Sequence, residues 1–414
     1  MTTSRRDILK VGLGALPMIC IGSTMPAFVP RMAMAEGAAR AGLSNDNILV
    51  IVQLSGGNDG LNTVVPVGAD PYLKARPGIA LKSNLHTLSD QFAFNAGLSA
   101  FKALYDDGKL AVVNGCGYPK PNRSHFESMA IWHSADAKNP GQNGGWLGHY
   151  LDHLSRGTPA DVMRAVNIGS ELPQALVTSS APTPSVNSIE DFTIRLLGRD
   201  DGNTDAERQL ITQLNAVNDT SPALAFLSRQ ATNAIVSADE MRKLSGGYKS
   251  DAEYPNGLGQ RLKLIAQIID GGFGTRVFYC EQGGYDTHAN QLGGHEKLLK
   301  EMSDSIAAFQ KDISAKGYGD KVTVMCFSEF GRRVAQNSSA GTDHGAAGPM
   351  FVVGNKVKGG LHGAYPALEK DQLDDGDPKY TTDFRRVYAT LLDGWLNTHS
   401  PDVLSAKYEP LPLL

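Results

Sequence analysis

Cysteine is scarce in this sequence, with 4 among 414 residues, and no two are spaced as CxxC. Cys20 lies in the N-terminal segment, so Cys116, Cys280 and Cys326 remain for the folded chain. An odd number without paired spacing gives no support to a disulfide framework. Cys280 and Cys326 each lie inside an apolar run rich in β-formers, so we expect buried, unpaired thiols there.

The sequence has no excess of basic residues: 39 Lys and Arg stand against 43 Asp and Glu, a formal charge of −4. Removal of residues 1–35 would take away four basic side chains and one acidic one. The remaining chain would be more acidic still, which argues against nucleic acid as a partner.

Long uninterrupted apolar runs are also missing. The stretch from Val11 to Val29 is broken by glycine and proline, and no second candidate follows. We therefore expect no stable membrane span and a soluble mature protein. Arg5-Arg6 before this stretch and Ala33-Met34-Ala35 after it are typical of a twin-arginine signal peptide over residues 1–35. An ordinary secretory signal with a chance arginine pair is the alternative.

This signal predicts a periplasmic or secreted protein whose partners during export are the twin-arginine translocase and signal peptidase. Because the twin-arginine pathway moves folded proteins, often after they acquire a metal or cofactor, it also hints at a bound metal. Residues 36–414 are expected to form a single domain.

Short β-branched runs alternate with polar loops and longer amphipathic segments, which predicts an α/β fold with a central, mostly parallel sheet flanked by helices. The predicted strands are Asn47 to Leu54, Lys109 to Asn114, Arg164 to Ile168, Thr275 to Glu281, Lys321 to Phe327 and Pro349 to Val353. The predicted helices are Leu258 to Ile269, His295 to Ala315 and Thr382 to Leu396, the last capped by Thr381, Thr382 or Asp383.

Residues 170–260 lack a strand pattern and are polar, with a helical pattern from Asp205 to Leu244. We interpret them as a mostly helical insertion. It could be a lid over the site or a solvent-facing layer.

Polar loops follow the predicted strands, at the edge where open parallel sheets bind ligands. These loops supply carboxylates and imidazoles from Asp59, Asp286, His288, Glu329 and His344. Taken singly, each is more typical of a turn or a structural histidine. Together they form a ligand set for one or two divalent metal ions, zinc or manganese, with magnesium favoured if carboxylates dominate. A second loop places Arg123, Ser124 and His125 in sequence.

Five motifs in this order, "VQLSGGNDGLNT", "NRSHF", "GGYDTHANQ", "FSEFGRR" and "GTDHGAAGPMFVVG", resemble the exported bacterial family catalogued as domain of unknown function 1501. That family is regarded as a distant branch of the alkaline phosphatase and sulfatase superfamily. The resemblance implies an alkaline-phosphatase-like fold with a metal site on its sheet.

The resemblance also implies roles for particular residues. Asp59 resembles a ligand of one metal, and Glu329 stands where an Asp of that metal's Asp-His pair is expected. Asp286, His288 and His344 resemble the ligands of the other metal. Ser124 falls near the position of the superfamily's nucleophilic Ser or Thr.

Three departures from the superfamily pattern affect these roles. Glu329 is followed by Phe330 instead of His, so one metal loses a nitrogen ligand unless His125 replaces it. Asp286 and His288 are closer in sequence than the corresponding phosphatase ligands. Ser124 lacks the sulfatase Cys/Ser-x-Pro-x-Arg setting, which argues against a formylglycine sulfatase.

The leading hypothesis is an exported metal-dependent hydrolase or transferase that acts on a small anionic phosphate or sulfate ester. Ser124 or a water molecule would attack, and Arg123 or Arg332 would hold the anionic group. The rival is a non-catalytic envelope binding or assembly protein on a decayed fold.

Overall fold

The computed structural model describes residues 46–142, 144–156, 162–179, 183–187 and 247–414. Within these ranges the chain forms a nine-stranded sheet, two small sheets and helices on both faces of the large sheet. The predicted signal segment and the helical pattern from Asp205 to Leu244 lie outside the described residues.

The strands in chain order are β1 (Ile48–Leu54), β2 (Val64–Pro66), β3 (His86–Thr87), β4 (Phe92–Phe94), β5 (Leu110–Gly117), β6 (Ala165–Ile168), β7 (Ser185–Val186), β8 (Val277–Gln282), β9 (Val322–Phe327), β10 (Arg332–Gln336), β11 (Thr342–His344), β12 (Gly348–Val353), β13 (Gly360–His362) and β14 (Thr382–Asp383). The helices are α1 (Gly60–Thr63), α2 (Asp70–Ala75), α3 (Ser99–Asp106), α4 (His125–Ser134), α5 (Trp146–Leu154), α6 (Leu258–Asp270), α7 (Gln291–Ala315), α8 (Arg385–Thr390) and α9 (Ser400–Leu404).

The large sheet has the order β13-β5-β12-β9-β1-β8-β6-β7, with β14 also paired to β5. Neighbouring pairs are parallel except where β12 lies between β9 and β5, to both of which it is antiparallel. The fold is therefore α/β with a mostly parallel sheet, as predicted. The carboxyl ends of β1, β5, β8 and β9 and the start of β12 all meet at one edge.

Two apolar layers hold the helices against this sheet. On β1, Val50 and Val52 pack into one layer with residues of α3, α6 and α7. Leu49 and Ile51, which alternate with them, pack into the other layer with residues of α4, α5 and α8. All seven residues of β1 are buried, which is why this strand appears in the sequence as a continuous apolar run.

All six predicted central strands are present, with ends that differ by three residues or fewer. The predicted helix Leu258 to Ile269 corresponds to α6, and the one predicted from His295 starts earlier, at Gln291. Gly293 and Gly294 conceal this first turn because glycine is a poor helix former.

The prediction of a helix starting at Thr382 is wrong, because Thr382–Asp383 pairs with β5 as β14. Regular α-helix begins at Arg385 and passes into a π-helical turn at Leu391–Trp395. The predicted cap is partly present, since the Arg385 backbone N–H donates to Asp383 Oδ1 over 3.1 Å.

β7 lies in the region where no strand was predicted, and its two residues are too few to form a recognisable pattern. Cys116, Cys280 and Cys326 are buried and unpaired, as predicted. Among the described residues, no helix combines the length and apolar character that a membrane crossing requires.

Candidate metal centre

Four histidine and aspartate side chains meet at the edge where the central strands end. His125 begins α4, which follows β5, and Asp286 and His288 lie in the loop after β8. His344 ends β11, just before β12. The sheet topology thus brings together residues that are up to 219 positions apart in the chain, and the predicted convergence on one edge is observed.

Asp286, His288 and His344 form the tightest part of this cluster. Asp286 Oδ1 lies 3.0 Å from His288 Nε2 and 3.0 Å from His344 Nε2, and the two Nε2 atoms are 2.9 Å apart. Three atoms that carry lone pairs at this separation repel one another unless a proton or a cation lies among them. A divalent ion would satisfy all three at once.

His125 is the fourth member of the cluster. Its Nε2 lies 3.5 Å from Asp286 Oδ2, and one ligand atom from each of His125, Asp286 and His344 fits within 4.8 Å of the others. The centre is therefore richer in nitrogen than the predicted metal set, because the structure adds His125 to it.

Each of the three imidazoles is held at its other nitrogen by an oxygen atom. The Nδ1 of His125 lies 2.8 Å from Glu329 Oε1, and the Nδ1 of His344 lies 2.8 Å from the Arg123 carbonyl oxygen. His288 Nδ1 faces Asp343 Oδ1 at 3.3 Å. In a neutral ring, an Nδ1–H that donates to oxygen leaves the lone pair on Nε2. All three lone pairs then point towards Asp286, which is the arrangement that metal-binding histidines require.

Asp286 is the anionic group at the centre of the cluster. Burial alone would raise its pKa, but the buried Arg332, which donates a hydrogen bond to this carboxylate, outweighs that effect and lowers the pKa to about 2. The side chain is therefore ionised at neutral pH, with its Oδ1 2.7 Å from Arg332 Nη2.

Arg332 is buried, and its guanidinium is fully engaged within the protein. Besides Asp286, it donates to the carbonyl oxygens of Gly57 at 2.7 Å, Thr342 at 2.8 Å and Tyr285 at 3.0 Å, and to that of Gly56. These contacts make Arg332 the side chain that positions Asp286, in contrast to the anion-holding role predicted for it.

Glu329 holds His125 from beneath. Its carboxylate is buried and accepts from the Gly56 backbone N–H over 2.8 Å and from Ser328 Oγ over 3.0 Å, in addition to His125. Burial opposes ionisation, but the hydrogen bonds, that from His125 first, lower the pKa of Glu329. The same bond raises the pKa of His125. Glu329, predicted as a metal ligand, therefore contacts the cluster through His125 Nδ1.

Phe330 explains the Glu-Phe sequence that departs from the superfamily pattern. Its buried ring lies 5.0 Å from the His125 ring and 4.7 Å from the His344 ring, measured between centroids.

A side chain on Gly57 would overlap the Phe330 ring, and one on Gly56 would overlap the backbone of Asp286. Both glycines also have positive φ angles, of 78° and 120°. The Gly-Gly pair of the first motif is therefore required by close approach.

Asp59 is separate from the cluster, although it was predicted to bind metal. It is fully buried, caps α1 through the Leu61 and Asn62 backbone N–H groups, and forms a 2.6 Å ion pair with the buried Arg76. Gln291 Nε2 also donates to it, over 2.5 Å. Burial raises the pKa of Asp59, but Arg76 outweighs burial and the pKa is lowered. This carboxylate already has its cation.

Ser124 and Arg123 flank the cluster. Ser124 is exposed and immediately precedes His125, with its backbone N–H donating to Asn122 Oδ1 over 2.8 Å. The Arg123 guanidinium lies 2.7 Å from Asp377 Oδ2 and 3.1 Å from Asp375 Oδ2. Only its carbonyl oxygen contacts the cluster, through His344.

Several partners were missed from the sequence. Asp343 stands inside a quoted motif beside His344, so its position was a usable signal. Arg76 and Asp377 lie in segments without any motif, and nothing in the sequence connects them to Asp59 or Arg123.

A sequence model of the family described as "Protein of unknown function (DUF1501)" matches residues 111–400, well over half of the chain. A search of curated proteins finds none that matches this sequence.

Several solved structures are similar to this chain at low identity. The C-terminal periplasmic domain of EcEptC from Escherichia coli, in complex with Zn, has 10% identity and a TM-score of 0.38, with 85% of each chain covered. PsFucS1 sulfatase from Pseudoalteromonas sp. has 11% identity and a TM-score of 0.37, covering 98% of this chain and 77% of its own. A protein in the alkaline phosphatase superfamily from Vibrio parahaemolyticus has 8% identity and a TM-score of 0.36, covering 96% and 79%. These TM-scores are below 0.5, so none of the three bears on the function of this chain.

We predict that Arg76→Met destabilises the protein by about 3–5 kcal/mol, because it leaves the buried Asp59 carboxylate without its cation. Urea unfolding followed by circular dichroism measures the change. Asp59→Leu/Arg76→Met is the control: it should recover the part of the loss that comes from the unpaired carboxylate, while the carbonyl oxygens of Arg333 and Val334 lose the Arg76 donor in both variants. A single variant as stable as the wild type would contradict a structural role for this pair.

The stability gap between wild type and Arg76→Met should narrow as the pH falls. In the wild type the folded-state pKa of Asp59 is lowered, so its contribution is present above the unfolded value of 3.8 and lost as the pH falls through the folded value. In the variant, burial without Arg76 raises the pKa, so the penalty is relieved on protonation. Urea unfolding of both proteins, measured from pH 7 downwards, gives the difference in their free energies of unfolding. A difference that stays constant with pH would show that the ionised Asp59 is not its cause.

Removal of the Glu329 carboxylate should weaken metal binding without removing a ligand. We expect Glu329→Ala to lower zinc affinity about 10–100-fold, because His125 Nδ1 loses its oxygen partner. Glu329→Gln should lose less, since its amide oxygen can still accept from Nδ1. Competition titration with a chelating dye measures both. Equal affinities for wild type and Glu329→Ala would show that Glu329 does not orient His125.

Proposed function

This chain belongs to the DUF1501 family, and we propose that it is an exported, metal-dependent hydrolase or transferase that acts on phosphate or sulfate esters. The proposal depends most on one observation. Three imidazoles, each held at Nδ1 by an oxygen atom, direct their Nε2 atoms towards the ionised carboxylate of Asp286.

The contacts support one metal ion and not two. Glu329 and Asp59, the carboxylates predicted to serve another metal, are buried and already engaged by His125, Gly56 and Arg76. Release of either carboxylate would leave a buried donor or a buried cation without its partner, at a cost of several kcal/mol. We therefore assign the ion to His125, Asp286, His288 and His344.

Zinc is the ion that this set of donors favours. Three nitrogen atoms and one carboxylate suit zinc, and manganese less well, whereas magnesium prefers oxygen ligands and retains water. When bound, the ion would supply Lewis-acid chemistry at the ester group.

The protein's own side chains would perform the remaining tasks. Arg332 and Glu329 hold Asp286 and His125 in position. The exposed hydroxyl of Ser124, next to His125, is the candidate nucleophile, and a water molecule is the alternative. Attack forms a new bond from the serine or water oxygen to phosphorus or sulfur and breaks the ester bond, and the proton lost by the nucleophile departs with the alcohol. If Ser124 attacks, water or an acceptor alcohol then cleaves the serine ester and restores the hydroxyl.

Export in the folded state agrees with a centre whose ligands come from distant parts of the chain. The twin-arginine pathway, the signal peptidase and a periplasmic or extracellular location remain part of this proposal, and they depend on the N-terminal motif alone.

Turnover should require the cluster histidines. We expect the protein purified without chelator to contain about one zinc per chain and to hydrolyse p-nitrophenyl phosphate, its diester or p-nitrophenyl sulfate. His288→Ala/His344→Ala should lose both metal and turnover while retaining the wild-type circular dichroism spectrum. His399→Ala, an exposed histidine at the start of α9, is the matched control and should retain both. Mass spectrometry of metals and release of nitrophenol are the measurements.

The other outcomes are informative. Bound metal without turnover on any of the three esters would favour a metal-binding envelope protein. A folded wild type that binds no zinc or manganese would sink the proposal. Loss of turnover in Ser124→Ala with metal retained would identify the serine as the nucleophile in preference to water.

A further inference from the structure

Two arginines beside the metal centre share the oxygen atom of one exposed carboxylate. Arg123 Nη1 and Arg333 Nη2 each lie 3.1 Å from Asp375 Oδ2. About one third of each arginine side chain is exposed, compared with 77% of Asp375. Two guanidinium groups that converge on one accessible oxygen form the arrangement by which proteins hold oxyanions.

Both arginines also lie beside a second carboxylate, that of Asp377. Asp377, only 2% exposed, contacts Arg123 Nη2 through Oδ2 at 2.7 Å and Arg333 Nε through Oδ1 at 3.5 Å. The Arg123 carbonyl oxygen is bonded to His344 of the cluster. Removal of Asp375 would therefore leave two cations beside one buried anion.

Asp375 occupies the tip of a tight turn. The backbones of Asp374 and Asp377 exchange two hydrogen bonds of 3.0 Å, and the residues between them, Asp375 and Gly376, have φ angles of 50° and 88°. Positive φ at both central positions is the property of a type I′ turn, in which Asp-Gly and Asn-Gly are preferred. The Asp375 carboxylate therefore lies on an exposed turn, apart from the buried Asp377 carboxylate that contacts the same two arginines.

The contact of Asp375 with the arginines is easy to replace. Exposed ion pairs contribute little to stability, because water solvates the separated charges well. A phosphate or sulfate group brings more oxygen atoms and more charge to the same donors than one carboxylate oxygen does.

We propose that Arg123 and Arg333 form an oxyanion subsite beside the metal centre, and that Asp375 fills it until a substrate displaces the carboxylate. This inference rests on the proposed function and narrows its substrate class. The guanidinium of Arg123 contacts Asp375 and Asp377, whereas the metal cluster is built around Asp286. The subsite therefore takes a second anionic group, and the substrate is an ester that carries another phosphate or sulfate besides the one attacked.

Binding of inorganic sulfate tests this subsite, because sulfate remains a dianion across the neutral range. Calorimetric titration at constant ionic strength compares the wild type with Asp375→Asn, which keeps the type I′ turn and removes the charge. We expect about tenfold tighter binding in the variant, since a like charge in contact with the ligand is gone. Asp371→Asn removes the same charge from an exposed position in the same loop and should stay within about twofold of the wild type.

The second arginine is tested in the same background. Arg333→Gln/Asp375→Asn should lose the gain in sulfate affinity. Unchanged affinity in Asp375→Asn, or a gain that survives the loss of Arg333, would overturn the subsite.

One further variant separates this inference from the metal centre. In His125→Ala/His288→Ala/Asp375→Asn, which removes two of the cluster's ligands but keeps the hydrogen bond of His344 to the Arg123 carbonyl oxygen, the gain should persist, because sulfate binds to the arginines. If the gain disappears there, sulfate was binding at the cluster and the subsite is refuted. Persistence of the gain in a protein that shows no ester turnover would leave the subsite standing while the proposed activity fails.

Discussion

One buried guanidinium holds the loops of the metal centre together. Arg332 is buried from solvent, and it donates to carbonyl oxygens from the loop after β1, the loop after β8 and the start of β11. Its charge is compensated by Asp286, the one carboxylate of the cluster that is half exposed. Loss of this cation would leave several buried carbonyl groups and an ionised aspartate without partners at the same time.

The remaining charges at this edge follow a similar rule. Each buried carboxylate has a dedicated partner: Arg76 for Asp59, His125 for Glu329 and Arg123 for Asp377. Only Asp286 faces several imidazoles at once, so it is the position where an additional positive charge fits. The electrostatics therefore separate structural carboxylates from the metal-binding one more clearly than their order in the sequence does.

The fold could be predicted well from the sequence because β1, β8 and β9 are buried on both faces and so appear as continuous apolar runs. The convergence of His125, Asp286, His288 and His344 on one edge followed from the same pattern. The division of labour among the carboxylates could not be predicted. Asp59 and Glu329 each resemble a metal ligand when considered alone. Their roles depend on contacts with Arg76 and His125, which lie 17 and 204 residues away in the sequence. The other eight strands of the described residues were not predicted, and three of them, β3, β7 and β14, have only two residues each, which carry no periodicity.

The reversed direction of β12 has a consequence for how the molecule is assembled. Because β12 is antiparallel to its neighbours, its first residue and not its last lies at the ligand edge. His344, at the end of β11, lies just before that first residue. Insertion of β12 between β9 and β5, two strands that were made earlier during synthesis, brings His344 to Asp286. The centre is complete only once β12 has joined the sheet, so an ion held there marks a chain that has passed this step.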